Sequence, residues 1–118
     1  MMKLLTKEII KKMPHPGEIK DAKTAPIIVK FFGGGSYTLY VIAASAFIKD
    51  GGEVKLADME GKDVIDIQLF GYVTGLQCDE WGYASFNELK ELKFPPFGLG
   101  IERDMYFGNC TVAEILNG

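Results

Sequence analysis

The 118-residue chain has a single histidine (His15), a single tryptophan (Trp81) and only two cysteines, Cys78 and Cys110. Two cysteines so placed make neither a disulfide framework nor a metal-ligand spacing. They read as one disulfide or as two buried thiols. We expect reduced thiols, because residues 1–13 are lysine-rich and only intermittently apolar, without a secretory h-region. On that reading the protein is cytoplasmic, and the sequon Asn109-Cys110-Thr111 is a chance match. Long hydrophobic runs are missing too. The longest, residues 39–48, is interrupted by Ser45 and falls well short of the roughly 20 residues that span a bilayer, so no membrane association is expected. Charge of one sign is scarce as well. The net charge is −3 with both signs spread along the chain. The absence of a basic tract argues against direct nucleic-acid binding, and the acidity is too mild for a DNA mimic.

What the chain does have is a hydrophobic share of 47% and 14 glycines. That composition excludes disorder and points to one turn-rich domain spanning residues 1–118, without repeats, low-complexity linkers or an internal boundary. Thr6 can cap a first helix in which Leu5, Ile9, Ile10 and Met13 recur at helical spacing, and Pro14 and Pro16 stop it. Strand signals follow at 25–32 and 37–47, joined through Gly33-Gly34-Gly35-Ser36, a hairpin connection suited to positive φ. Asp50-Gly51-Gly52 marks a second turn before a short strand at 53–57. Residues 64–73 alternate cleanly, with Ile65, Ile67 and Leu69 against Asp66 and Gln68, as a half-buried antiparallel strand does. Two capping boxes, Ser85-x-x-Glu88 and Thr111-x-x-Glu114, open two further helices. In the first, Phe86, Leu89 and Leu92 would face the sheet. Residues 101–107 read as one more strand. The expected product is an α+β domain: a four- to five-stranded, mainly antiparallel sheet, built as a meander, with two or three short helices packed on one face.

Several stretches together carry a family resemblance. They are Leu4-Leu5-Thr6-x-Glu8, Val29-Lys30-Phe31-Phe32, Tyr37-Thr38-Leu39-Tyr40, Phe70-Gly71-x-Val73-x-Gly75, Glu80-x-Gly82-Tyr83, Ser85-Phe86-Asn87-Glu88-Leu89 and Gly98-Leu99-Gly100-Ile101-Glu102-Arg103-Asp104. In this order they resemble the bacterial domain of unknown function numbered 2958, over nearly the whole chain. The chain departs from that pattern at Tyr37 and Leu39, where tryptophans are usual, and at Trp81, where an aliphatic is usual. The resemblance implies a small accessory protein of plasmids, conjugative elements or phages, and brings no catalytic residue with it.

The candidate site residues are Trp81, Tyr83, Phe94, Phe97, Glu102, Arg103 and Asp104, all as binding residues. In a strand, Glu102 and Asp104 would point to one face and Arg103 to the other. Such a pair of acids can ligate a hard cation, but a metal needs further oxygen ligands and spacing supplies no third acid. The plainer reading, which we favour, has both acids in solvent and Arg103 snorkelling over the core edge to pair with a carboxylate such as Glu80 or Glu88. In Phe94-Pro95-Pro96-Phe97 the prolines hold the segment extended. An exposed ring there would anchor a partner, whereas a buried one would tuck under the sheet. Tyr37, Tyr40, Tyr72, Trp81 and Tyr83 either line a groove or form cross-strand pairs. Gly33-Gly34-Gly35-Ser36 lacks the Gly-Lys-Ser/Thr ending of a phosphate loop. His15 has no recognisable nucleophile beside it, and Ser36, Ser45 and Ser85 lie in no nucleophile elbow.

Three function classes remain. The first is a non-enzymatic accessory protein of a mobile element that binds another, unidentified protein. The second is an anti-restriction or anti-CRISPR inhibitor, which would present a contiguous acidic face built from Asp58, Glu60, Asp63, Asp66, Asp79 and Glu80. The third is a small metal-dependent hydrolase using Glu102, Asp104 and a further acid. We expect no cofactor and no bound metal, and a monomer or weak homodimer, the latter through an edge near residues 37–47.

Overall fold

The computed structural model describes residues 4–34, 36–75, 79–94, 98–105 and 107–117. The chain runs α1 (Lys7–Lys12), β1 (Val29–Gly33), β2 (Tyr37–Ile48), β3 (Glu53–Lys55), β4 (Val64–Thr74), β5 (Glu80–Ser85), α2 (Phe86–Glu91), β6 (Glu102–Arg103) and α3 (Val112–Asn117). Short 3-10 turns occur at Pro16–Glu18 and Leu56–Asp58. All strand pairings are antiparallel, in the order β5-β4-β2-β1-β6, with β3 also on β2. This is the α+β class expected, with six strands instead of four or five.

β2 organises the sheet. β4 pairs along its length on one side. On the other side β1 covers residues up to Val41, and β3 takes over from Ser45. In the gap between them the Ala44 N–H donates to the Pro14 carbonyl at 2.9 Å, which gives that ladder donor a partner outside the sheet. Residues 37–47 are therefore the centre of the sheet, and the dimer edge expected there does not exist.

A bulge between Val41 and Ala43 interrupts the β2–β4 register. An extra residue shifts the alternation, so Leu39, Val41, Ala44 and Ala46 face one side while Ile42 and Ala43 face the other. This is why residues 39–48 read as an apolar run broken only by Ser45: both faces of β2 are covered. The first cluster gathers Phe31, Leu39 and Leu69 beneath Ile9 of α1 and Leu89 of α2. The second gathers Ile27, Ile42 and Ala43 beneath Val112 and Ile115 of α3. Two helices thus lie on the expected face and the third on the opposite one. The N-terminal chain crosses between faces at the β1/β3 gap, with Met13 in the first cluster and Ile19 against the second.

Sequence boundaries shift where local chemistry intervenes. β1 starts at Val29; before it the chain turns to the C-terminal segment, Pro26, which has no N–H, bridging Thr111 and the Ile27 N–H donating to the Cys110 carbonyl at 2.9 Å. β6 shrinks to two residues of the expected seven, its pairing replaced by the Asp104 N–H on the Lys30 carbonyl and a turn in which the Phe107 N–H reaches the Asp104 carbonyl. β5 was not anticipated. Its Trp81-Gly82-Tyr83 core is too short and glycine-broken to announce a strand. Thr6 and Thr111 cap α1 and α3 as expected, the latter with a reciprocal bond from the Thr111 N–H to Glu114 at 3.1 Å. Ser85 accepts from the Glu88 N–H at 3.3 Å. Leu92, expected to face the sheet, is instead the exposed C-cap of α2.

Candidate interaction surface

On the sheet face opposite α1 and α2, pairing sets side chains in rows. Lys30 lies beside Tyr40, Tyr40 beside Tyr72, and Tyr72 beside Trp81. Asp104 extends that row past β1, with its Oδ2 3.4 Å from Lys30 Nζ. The Lys30 ammonium sits 5.7 Å from the ring centroids of both Tyr40 and Phe107, so one cation fastens both Asp104 and Phe107 to the sheet. In the neighbouring row Phe70 pairs with Tyr83. Phe70 lies 4.8 Å from Tyr83 and 5.9 Å from Trp81, and Trp81 meets Tyr72 edge-on at 5.2 Å. These distances fit cross-strand aromatic pairs. α3 and the 19–27 segment cover the middle of this face. They leave the β4–β5 end open, where Trp81 is half-buried and Tyr83 is 59% exposed. Beyond Tyr83 the sheet stops: among the described residues β5 pairs with β4 alone.

The other candidate residues do not converge on the open β4–β5 end of this face. Glu102 pairs opposite Phe32 and Arg103 opposite Phe31, so Glu102 and Asp104 share the aromatic face while Arg103 lies on the α1/α2 side, as alternation requires. They belong to the opposite edge of the sheet, four strand spacings or about 19 Å from β5. Arg103 therefore cannot reach Glu80 across the sheet, and among the described residues it forms no ion pair with Glu80 or Glu88, so that expected pairing does not hold. Its Nε is buried without a hydrogen-bond partner among the described residues. No group of three or more His, Cys, Asp or Glu side chains able to hold a metal occurs among the described residues.

Phe94 has a packing role. Its ring stacks on Tyr37 at 6.2 Å and fills the space that a Cβ at Gly33 or Gly34 would occupy, at 2.6 and 2.5 Å. The glycines thus serve the hairpin and also seat this ring, a tertiary role with no local signal. Phe97 lies outside the described residues, as does Cys78. Cys110 is a free, half-buried thiol; burial and the nearby Glu114 push its pKa up against the opposing pull of Lys30. His15 accepts from the Gly17 N–H on Nδ1 at 3.0 Å and meets Glu53 through Nε2 at 2.6 Å. With Glu18 and Lys55 at 3.2 Å, it ties the N-terminal crossing to β3.

The six acids proposed for an acidic face do not form one. Asp58, Glu60 and Asp63 precede β4, whereas Asp79 and Glu80 follow it, roughly 30 Å away along an eleven-residue strand. Asp66 is taken up in capping α2. Its Oδ2 accepts from the Ser85 hydroxyl at 2.5 Å, and its Oδ1 from the N–H groups of Asn87 and Ile67 at 3.1 and 2.7 Å. Partial burial opposes its ionisation. The bonds from Ser85, Asn87 and Ile67, with Lys90 nearby, outweigh that and hold the carboxyl below its ordinary pKa.

The fold defines an antiparallel α+β protein with helices on both faces of a six-stranded sheet and an aromatic edge. Residues 4–114 match the model of a family described as protein of unknown function (DUF2958), and the chain belongs to that family. No curated protein and no solved structure matches it. Among the described residues no helix is long and apolar enough to cross a membrane.

Proposed function

We propose that the protein is a non-enzymatic accessory protein of a mobile genetic element that works in the cytoplasm by binding another protein through the open β4–β5 end of its sheet. The observation that carries the reading is Tyr83, a large ring more than half exposed at the end of a ladder of packed aromatics. The pair with Phe70 uses one side of the ring and leaves the rest open, and Tyr and Trp on a rigid backbone supply contact area at low entropic cost. The mobile-element setting rests on the family resemblance alone.

The test is a tagged pull-down from the native host, with and without nuclease, using wild type, Tyr83→Ser and Leu99→Ser as baits. Leu99 is an equally exposed apolar side chain elsewhere. The expected result is a stoichiometric, nuclease-resistant protein retained by wild type and Leu99→Ser and lost with Tyr83→Ser. A partner held equally by all three baits would move the interface away from β5. Finding no partner would sink the reading.

A further inference from the structure

We infer that two copies of this chain associate through antiparallel pairing of their β5 strands. This goes beyond the binding of a foreign protein and does not depend on it.

Long edge strands usually carry a device against pairing: a lysine, a proline, a bulge, or extreme shortness. β6 has only two residues. β3 has three, and its Glu53 and Lys55 are engaged by His15 and Glu18. β5 has six residues, no proline, no lysine and an uninterrupted register with β4. Its one charged residue, Glu80, stands at its first position. Among the described residues nothing else pairs with its outer side.

The side chains of β5 also complement themselves. A two-fold axis through Gly82 sets Gly82 opposite its own copy, Trp81 opposite the second copy's Tyr83, and Glu80 opposite the second copy's Ala84. No like charges meet, and two aromatic cross-strand pairs form. Gly82 leaves the crossing point open, since a Cβ there would meet nothing within 4 Å. An antiparallel two-fold lies perpendicular to the sheet, so the aromatic faces of both copies end up on the same side. Tyr72 and Trp81 of one copy would then continue into Tyr83 and Phe70 of the other, forming one strip across the dimer.

Sedimentation of the purified full chain, from low micromolar to near-millimolar concentration, tests this. Wild type should approach twice the 13.0 kDa chain mass. Gly82→Lys and Gly82→Glu each place like charges opposite one another at the axis and should stay at the monomer mass. Their circular dichroism should remain that of wild type, because the position is open. An equimolar mixture of the two should regain the doubled mass. Wild type that remains monomeric throughout would overturn the inference. So would variants that still dimerise alone, or a folded pair that fails to associate when mixed. As a measurement without substitutions, hydrogen exchange at residues 80–85 should slow as wild-type concentration rises, and exchange independent of concentration would also overturn it.

Discussion

Gly71 and Gly82 face each other across β4 and β5, yet replacing each by alanine should give opposite results. A Cβ at Gly71 would lie 1.9 Å from the Tyr40 carbonyl oxygen and 2.8 Å from its carbon, both backbone atoms of β2. A carbon and an oxygen normally approach no closer than about 3.3 Å. The strands must therefore part by roughly 1.4 Å at the bulge where β2 is already irregular. Losing two or three ladder bonds at about 1 kcal/mol each, with the packing around them, comes to about 3–5 kcal/mol. A chain of this length has a total stability of roughly 6–18 kcal/mol. With an unfolding entropy of about 250 cal/mol/K, Gly71→Ala should lower Tm by about 12–20 °C. Gly82→Ala meets no atom within 4 Å and should be neutral, or stabilising by up to about 1 kcal/mol through a less flexible unfolded chain. Calorimetry together with urea melts decides the matter. A Gly71→Ala protein melting within about 3 °C of wild type, or a Gly82→Ala protein as damaged as Gly71→Ala, would refute the reasoning.

Two further predictions concern polar side chains. The Asp66 carboxyl is held below its ordinary pKa of 3.8, so between its folded and unfolded values the unfolded chain binds more protons. Its contribution to stability is complete about one pH unit above the unfolded value and is lost as pH falls through the folded one. Asp66→Asn should flatten the acid limb of a Tm-against-pH curve and lower stability at neutral pH by about 1 kcal/mol, as loss of a helix cap does. An unchanged acid limb would show that the carboxylate is not what secures α2. Ser45 is fully buried, and its hydroxyl has no hydrogen-bond partner among the described residues. Ser45→Ala should therefore be neutral or stabilising by about 1 kcal/mol in urea unfolding, and a loss of that size would mean the hydroxyl is in fact bonded.

The sequence was most readable where a single local rule decides the outcome. Residues 64–73 alternate because one strand has two unlike environments, and β4 ends within a residue of that reading. Thr6, Ser85 and Thr111 cap helices because their oxygens satisfy nearby N–H groups, whatever else the fold does. Features that depend on residues far apart in sequence were not legible. Asp66 caps a helix that begins 20 residues later. The bulge at Val41–Ala43 turns an apolar run into two faces, and Phe94 needs glycines some 60 residues away. The candidate site was legible only in part. Trp81 and Tyr83 do stand together, but their partner Phe70 belongs to another strand, and Glu102 and Asp104 ended at the far edge. Composition could name the aromatics but could not tell which edge would be left uncovered.

The crossing of the chain between β1 and β3 has a consequence for cooperativity. Met13 packs in a cluster with Leu69 and Leu89, and Ile19 against one containing Val112. The few residues between them are held from both faces of the sheet at once, so opening either cluster loosens the anchor of the other, and the two halves of the core should come apart together.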